Sequence, residues 1–296
     1  MTGPRPTTLP GTDRDQPALD ALVALLDLEP LEVNLFRGYS PPSSPTRVFG
    51  GQVAGQALVA AGRTVPPDRE VHSLHAYFIR PGDPSVPIVY DVERVRDGRS
   101  FTTRRVLAIQ HGEAIFSLSA SFQAVQEGLE HTEPAPTGVP DPESLPDLAQ
   151  RAREGRLEGW LARAPQPIDM RFVDEPAWSP DRVRASDGPL RVWMRAHGTL
   201  PEDRLLHVCL LTYASDLTLL GSVVARHEPL ARVQMASLDH AMWFHRPFRA
   251  DEWLLYTCYS PSASGSRGLA TGRFTTRDGR TVATVVQEGL VRLPRD

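Results

Sequence analysis

The residue best suited to chemistry is an acid within an apolar stretch. Asp216 lies in "YASDLTLL", residues 213–220, whose other members are typical of a buried helix. A carboxylate in such a place can accept hydrogen bonds from the free N–H groups at a helix start, or it can take a proton as a general base. The local sequence favours capping, and it leaves open whether Asp216 begins the helix or lies one turn inside it.

Histidines can hold a metal ion, and four of them occur in two groups: His72 with His75, and His240 with His245. On a strand, positions 72 and 75 point to opposite faces, so the two side chains are not expected to share a metal. We therefore predict no metal site and assign these histidines to structural hydrogen bonding.

Other catalytic motifs are disfavoured. Cys209 and Cys258 lie in apolar runs without CxxC spacing, which is typical of buried thiols rather than of a disulfide framework or a zinc site. A Ser-His-Asp hydrolase is not expected, because no Gly-x-Ser-x-Gly elbow occurs. "FGGQVAG", residues 49–55, lacks the dinucleotide pattern G-x-G-x-x-G, and its glycines indicate close helix packing instead. No organic cofactor is predicted.

Composition limits the partners. The chain has 296 residues, of which 41% are hydrophobic and 23% charged, with a net charge of −4, as expected for one large or two modest globular domains. No basic run is interleaved with aromatic residues, so nucleic acid is not expected as a partner. No signal-peptide core and no run of about twenty apolar residues occurs, so we expect no membrane insertion and a cytoplasmic protein.

The first half of the chain reads as two helices followed by strands. Residues 1–16 are rich in Pro, Thr and Asp, which predicts a disordered tail. Apolar residues at i, i+3, i+4 and i+7 predict an amphipathic helix at 18–28, and the apolar stretch 49–66 predicts a helix buried on all faces. An antiparallel meander is predicted for the runs that follow, "VHSLHAYFIRPG", "PIVYDVERVRDG", "FTTRRVLAIQHG" and "AIFSLSASFQAV".

The second half repeats this order beyond a linker. Residues 127–164 are rich in Pro, Glu and Arg, and we predict that they connect a unit at 17–126 to a unit at 165–296. In the second unit a helix is expected at 206–225, between strand-like runs.

The repeat can be followed residue by residue. Arg80 and Arg246 each precede a proline that ends a strand, and they are 166 positions apart. A sheet with one apolar face has to bury it, and a helix that is apolar all round fits inside. The fold class is therefore predicted as α+β, a double hotdog in which two curled antiparallel sheets each wrap a central helix.

Several stretches together resemble the acyl-CoA thioesterase II family, the TesB-like double-hotdog thioester hydrolases. The resemblance covers about 19–292 and rests on "VFGGQVAGQAL", "VHSLHAYFIRPGD", "YDVERVRDGRSF", "YASDL", "DHAMWFHRPF", "DEWLLY", "SASGSRG" and "VVQEGLVR". It implies hydrolysis of fatty acyl-CoA to free fatty acid and coenzyme A. It also implies pairing of the double units, as a homodimer or homotetramer.

The resemblance also implies the catalytic residues. The family's Asp, Ser or Thr, and Gln fall on Asp216, Ser237 and Gln287. A thioester is already electrophilic, so its hydrolysis needs an oriented water, a base and donors for the oxyanion. Asp216 is the expected base, although it is open whether it acts as base or only orients the water. Each residue alone has a structural explanation, and only the three together favour catalysis.

Further contacts follow from position. The start of the Gly50-Gly51-Gln52 helix, or another nearby helix terminus, offers unpaired N–H groups as oxyanion donors, and His240 is a substrate-binding candidate because it is close to Ser237 in sequence.

The repeat places Gly51 opposite Asp216, Val71 or His72 opposite Ser237, and Ala120 opposite Gln287. The first half then lacks the trio, and one catalytic site per chain is expected, in the second half.

Two other functions stay open at this point. A hotdog enoyl-CoA hydratase or dehydratase would commonly use Asp with His. A non-catalytic acyl-CoA-binding module would hold its ligand intact.

Overall fold

The structure is a computed structural model that describes residues 16–41, 46–157, 166–182, 184–228 and 233–293. The predicted tail lies outside this part of the chain, apart from Gln16, which begins the first helix. The last residues of the predicted linker, from 158 onward, also lie outside it.

Five α-helices and thirteen strands occur in the described residues. The helices are α1 Gln16–Leu26, α2 Gly50–Gly62, α3 Leu148–Arg153, α4 Arg204–Ser215 and α5 Gly221–Ala225, with a 3-10 turn at Pro142–Ser144. The strands are β1 Glu29–Glu32, β2 Leu35–Gly38, β3 Arg69–Phe78, β4 Ile88–Asp97, β5 Phe101–Gln110, β6 Glu113–Ala124, β7 Ile168–Phe172, β8 Leu190–Ala196, β9 Gln234–Ser237, β10 Asp239–Phe244, β11 Leu254–Ser264, β12 Arg267–Thr276 and β13 Thr281–Arg292.

The strands form one antiparallel sheet in the order β1-β2-β4-β5-β6-β3-β10-β13-β12-β11-β8-β7, and β9 also pairs with β13. Strands of the first half therefore lie on one side and strands of the second half on the other. They meet where β3 pairs with β10, and there His75 lies opposite Ala241. These two residues are 166 positions apart, which is the offset of the repeat. The two halves are thus related by an approximate two-fold axis that passes between β3 and β10.

The central helices α2 and α4 pack against each other inside the sheet. Every residue of α2 from Gly51 to Ala61 is buried, as expected for a helix that is apolar on all faces. A Cβ atom at Gly51 would lie 2.4 Å from the carbonyl oxygen of Tyr213, and one at Gly62 would lie 2.5 Å from the Leu205 side chain. The start of α2 therefore lies beside the end of α4, and the two helices run antiparallel at close range.

The helix predicted at 206–225 is interrupted. Its N-terminus is capped by Asp203, whose Oδ1 accepts a hydrogen bond from the N–H of Leu206 at 3.2 Å, and the helix ends at Ser215. Asp216 occupies the C-terminal cap position, so the expectation that it begins the helix or lies one turn inside it is wrong. A turn follows in which N–H groups donate hydrogen bonds to the carbonyl three residues earlier, beginning with Leu217 and Ala214. Helix α5 begins only after this turn.

The repeat offset is not constant. Strand positions keep an offset of about 166, whereas α2 and α4 begin at Gly50 and Arg204, which are 154 positions apart. The chain after α4 holds the extra turn and α5, and it therefore needs more residues to reach the next strand. The counterpart of Asp216 in the first half is consequently close to Gly62, and its predicted pairing with Gly51 is wrong.

The described part of the predicted linker packs on the second half. The indole N–H of Trp193 donates to the carbonyl of Pro140 at 2.9 Å, and that of Trp253 donates to Oε1 of Glu143 at 3.0 Å. Among the residues that the structure describes, no helix is both long and apolar enough to cross a membrane.

Candidate active site

Asp216, Ser237 and Gln287 meet at one carboxylate oxygen. The hydroxyl of Ser237 donates to Oδ1 of Asp216 at 3.1 Å, and Nε2 of Gln287 donates to the same oxygen at 2.7 Å. Strand register explains the meeting, because Ser237 lies opposite Gly289 in the pairing of β9 with β13. Alternate residues of a strand share a face, so Gln287 projects on the same side as Gly289.

A backbone donor from the other half completes the carboxylate's partners. The N–H of Gly51 donates to Asp216, and Phe49, at the N-cap of α2, provides no side-chain cap. The first N–H groups of a helix have no partner within it, so Asp216 caps α2 from the end of α4. A Cβ at Gly50 would lie 2.6 Å from Oδ2 of Asp216, and this close approach therefore requires glycine. The sequence indicated capping but not which helix is capped.

The environment keeps this carboxylate basic. Burial is the main influence and raises the pKa of Asp216 to about 6, because a carboxylate with reduced access to water is less stable in its charged form. Hydrogen bonds from Gln287, Ser237 and Gly51 act in the opposite direction, as does the charge of Arg47. A carboxylate with this pKa is ionised at neutral pH and accepts a proton more readily than an ordinary aspartate.

A cavity of about 1220 Å³ opens beside Asp216 and Ser237. Gly50 and Gln52 also line it, while Gln287 is fully buried behind the wall. Most of the wall is apolar and both halves contribute to it, through side chains that include Leu22, Leu25, Phe78, Phe116, Tyr213 and Leu220. A largely apolar cavity with a few convergent polar groups is the usual form of a small-molecule site. The sequence did not indicate that α1 would supply part of this wall.

His240 does not line the cavity. Its side chain is only 1% exposed, and its Nε2 lies 2.8 Å from the hydroxyl oxygen of Ser215. Burial lowers the pKa of His240 to about 4, so the ring is neutral at physiological pH. Its place behind Asp216 does not support the predicted substrate contact, and the short distance in sequence from Ser237 was misleading because β10 turns the side chain inward.

Three arginines line the cavity, and they differ in their partners. Arg37 forms an ion pair with Glu29 at 2.7 Å, and Arg80 forms one with Glu113 at 3.2 Å. Arg47 has no ion pair within the described residues; its Nη2 donates to the carbonyl of Met235 at 3.0 Å. The lack of an ion pair among the described residues distinguishes Arg47 from Arg37 and Arg80, and no sequence pattern had predicted this difference.

Among the described residues of the first half, no such trio occurs at the corresponding place. Gln287 lies opposite Ala270 in the sheet, and the matching pair in the first half is Ala120 opposite Arg104. Arg104 is fully buried, with Nε donating to Oγ1 of Thr64 at 2.9 Å and Nη2 to the Thr64 carbonyl at 3.0 Å. A structural guanidinium therefore lies where the second half has its polar site.

The two halves of a curled antiparallel sheet, joined at β3 and β10 and wrapped around α2 and α4, define a double-hotdog protein. Solved structures agree with this class. A protein from Alicyclobacillus acidocaldarius with a hot dog fold superposes with a TM-score of 0.74 at 21% identity, covering 93% of this chain and 98% of that one. The predicted fold is thus confirmed.

Closer relatives define the family. The family model for acyl-CoA thioesterase matches residues 166–290, and that for the acyl-CoA thioesterase N-terminal domain matches 39–123. Acyl-coenzyme A thioesterase 8 from Mus musculus is 45% identical over 92% of this chain and 89% of its own length. The crystal structure of an acyl-CoA thioesterase II, TesB2, from Mycobacterium marinum is 48% identical, with a TM-score of 0.76, covering 93% of this chain and 98% of that one. The chain belongs to the acyl-CoA thioesterase family, as its motifs predicted.

Proposed function

We propose that the protein hydrolyses fatty acyl-CoA to a free fatty acid and coenzyme A, with Asp216, Ser237 and Gln287 as its catalytic residues. The observation that carries this proposal is that the hydroxyl of Ser237 and the amide of Gln287 both donate to one oxygen of Asp216, at the wall of an apolar cavity. The family membership favours a thioesterase over a hydratase or a passive binding module.

Water is the nucleophile in the proposed reaction. Asp216 takes a proton from a water molecule while the water oxygen attacks the thioester carbonyl carbon, and the carbonyl becomes an oxyanion. The carbon–sulfur bond then breaks, and the leaving thiolate recovers the proton from the Asp216 carboxyl. Three donors hold the carboxylate in place, which leaves its free lone pairs to orient the water.

The oxyanion donors come from the start of α2 in this proposal. The N–H of Gly51 already bonds to Asp216, so this role passes to the N–H groups of Gly50 and Gln52. Both groups lie in the first turn, where backbone N–H groups have no intrahelical partner.

Arg47 is proposed to contact a phosphate group of coenzyme A. It lines the cavity and forms no ion pair within the described residues, in contrast to Arg37 and Arg80. Guanidinium groups without a carboxylate partner are well suited to phosphate oxygens.

Release of free thiol, followed with a chromogenic disulfide across a panel of acyl-CoA chain lengths, tests the proposal. Asp216→Asn is expected to lower kcat/KM by roughly a hundredfold or more, since a general base contributes about that much. Ser237→Ala and Gln287→Ala are expected to lose roughly tenfold or more. The matched control is Asp187→Asn, because the Asp187 side chain is 99% exposed.

The outcomes separate the three functions. Thiol release that requires Asp216 supports the thioesterase. A change in enoyl absorbance without thiol release supports a hydratase or dehydratase, and acyl-CoA that is bound and recovered intact supports a binding module. Full activity of a folded Asp216→Asn enzyme contradicts the proposed mechanism.

We also propose a cytoplasmic location, a role in fatty acid metabolism, and assembly as a homodimer or homotetramer. Two buried free cysteines, Cys209 and Cys258, support the location, because unpaired thiols are common in reducing compartments. Support for assembly is that hotdog proteins commonly pair. Cell fractionation and light scattering of the purified chain test the location and the assembly.

A further inference from the structure

Side-chain amides on α2 form a chain of hydrogen bonds with a fixed direction. The hydroxyl of Tyr90 donates to Oε1 of Gln56 at 2.7 Å. Nε2 of Gln56 donates to the carbonyls of Leu25 and Tyr39, at 2.7 and 3.2 Å. Carbonyl oxygens only accept hydrogen bonds, so these partners decide which end of the Gln56 amide is the nitrogen.

The same logic fixes Gln52, one helical turn earlier. Its Nε2 donates to the carbonyl of Tyr39 at 3.0 Å and also lies 3.2 Å from the hydroxyl oxygen of Ser40 and 3.4 Å from Oε1 of Gln56, which links the two amides. Its Oε1 receives no hydrogen bond from the described residues. Gln52 is 2% exposed and lines the cavity, whereas Gln56 is fully buried and does not. Since its nitrogen faces Tyr39, the amide oxygen of Gln52 is the polar atom left for the cavity.

A ligand that fills the cavity excludes solvent from this oxygen, and an acceptor left without a donor in an apolar space is unfavourable, so the ligand has to supply the donor. The ligand has to bring a hydrogen-bond donor into a largely apolar space. Gln52 and Asp216 line the same cavity, so one ligand in the cavity can contact both.

We propose that Oε1 of Gln52 accepts a hydrogen bond from the pantetheine amide N–H nearest to the sulfur of the substrate. This inference rests on the proposed thioesterase function. In every acyl-CoA, two methylene groups separate the sulfur from this N–H, while an unsubstituted acyl chain carries no donor on the other side. Gln52 thereby recognises the coenzyme A side of the thioester and holds it in register with Asp216.

Two thioesters that differ in one group test this contact. The first joins the acyl chain to N-acetylcysteamine, which keeps the N–H, and the second joins the same chain to O-acetyl-2-mercaptoethanol, in which an ester oxygen replaces the N–H. For the wild type we expect kcat/KM to favour the N–H substrate about tenfold, the value of one neutral hydrogen bond. In Gln52→Leu the ratio is expected to fall to about one.

The ratio is insensitive to loss of active protein, because both substrates meet the same enzyme preparation. Gln52→Met, with an unbranched side chain, repeats the test if Gln52→Leu folds poorly. Gln56→Leu is the matched control: it breaks the same chain of amides one turn away from the cavity wall, and it is expected to keep the tenfold ratio.

A wild-type ratio of one, or a ratio that Gln52→Leu leaves unchanged, overturns the inference. A second arm compares 3-hydroxyacyl and unsubstituted thioesters. A preference for the hydroxyl that vanishes in Gln52→Leu, without a preference for the N–H, assigns the donor to the acyl chain and overturns the pantetheine contact. Thiol release by the wild type from any of these substrates supports the thioesterase function independently of the ratio.

Discussion

Asp216→Asn is expected to change how the stability of the protein depends on pH. The unfolded side chain has a pKa near the ordinary aspartate value of 3.8, and burial raises the pKa in the folded state to about 6. Between these values the folded state binds a proton that the unfolded state has released, so the wild type loses stability as pH rises, until the folded group has ionised. Asparagine does not titrate, and the variant lacks this contribution.

The magnitude follows from the two pKa values. From pH 5 to pH 8 the wild type is expected to lose about 1.4 kcal/mol of unfolding free energy relative to Asp216→Asn. The new amide beside the N–H of Gly51 can change the unfolding free energy of the variant by a constant amount. Such a constant amount does not affect how the difference between the two proteins changes with pH. Urea unfolding, followed by tryptophan fluorescence in steps of half a pH unit, measures it.

The same measurement on Asp187→Asn, at an exposed carboxylate, provides the control. A flat difference for Asp216→Asn, or one in which the wild type gains stability with rising pH, refutes the reasoning. The carboxylate would then be either well hydrated or held ionised by its donors, and its suitability as a base would have to be reconsidered.

Three further outcomes are expected. In the wild type, kcat/KM for acyl-CoA falls below about pH 6 as Asp216 takes up a proton; an acid limb centred near pH 4 contradicts the general-base role. Gly50→Ala lowers kcat roughly tenfold or more because its Cβ displaces the Asp216 carboxylate. Gly128→Ala is the control and leaves kcat unchanged, because a Cβ there meets no heavy atom within 4 Å. Equal kinetics for the two variants argue against the close approach of Gly50 to Asp216. Arg47→Ala raises KM for acyl-CoA roughly fivefold at low ionic strength and less at high salt, while Arg37→Ala changes KM little; an effect independent of salt excludes a phosphate contact.

The duplicated architecture could be predicted from the sequence because its signals are long and repeated. The all-apolar stretch of α2 and the alternating runs of β3 to β6 each favour one structure, and the spacing of Arg80 and Arg246 links the halves. The family motifs then named Asp216, Ser237 and Gln287, and the folded chain brings these three together. No local sequence pattern could have predicted that these residues meet, because β9 and β13 are far apart in the sequence and come together only by pairing in the sheet.

Two wrong predictions, the position of Asp216 in its helix and its pairing with Gly51 in the repeat, have a common origin in the chain around Asp216. The apolar run continues through 206–225, so periodicity gave no sign that α4 ends at Ser215. Because of the additional turn before α5, the repeat offset of the strands differs from that of the helices. Applying the strand offset to the helix made Gly51 look like the counterpart of Asp216. It is instead the residue whose N–H contacts that carboxylate. Partners across an interface between two helices are not visible in a pattern that is read along one chain.

The antiparallel packing of α2 and α4 also decides which electric field the carboxylate experiences. A helix carries about half a positive charge at its N-terminus and half a negative charge at its C-terminus. Asp216 follows the C-terminus of α4 and touches the N-terminus of α2, so the two end charges largely cancel at its position. At the start of one isolated helix, the helix dipole would stabilise the ionised carboxylate and lower its pKa. Here the opposing helix removes that advantage, and the loss of water is left to make the acid a competent proton acceptor.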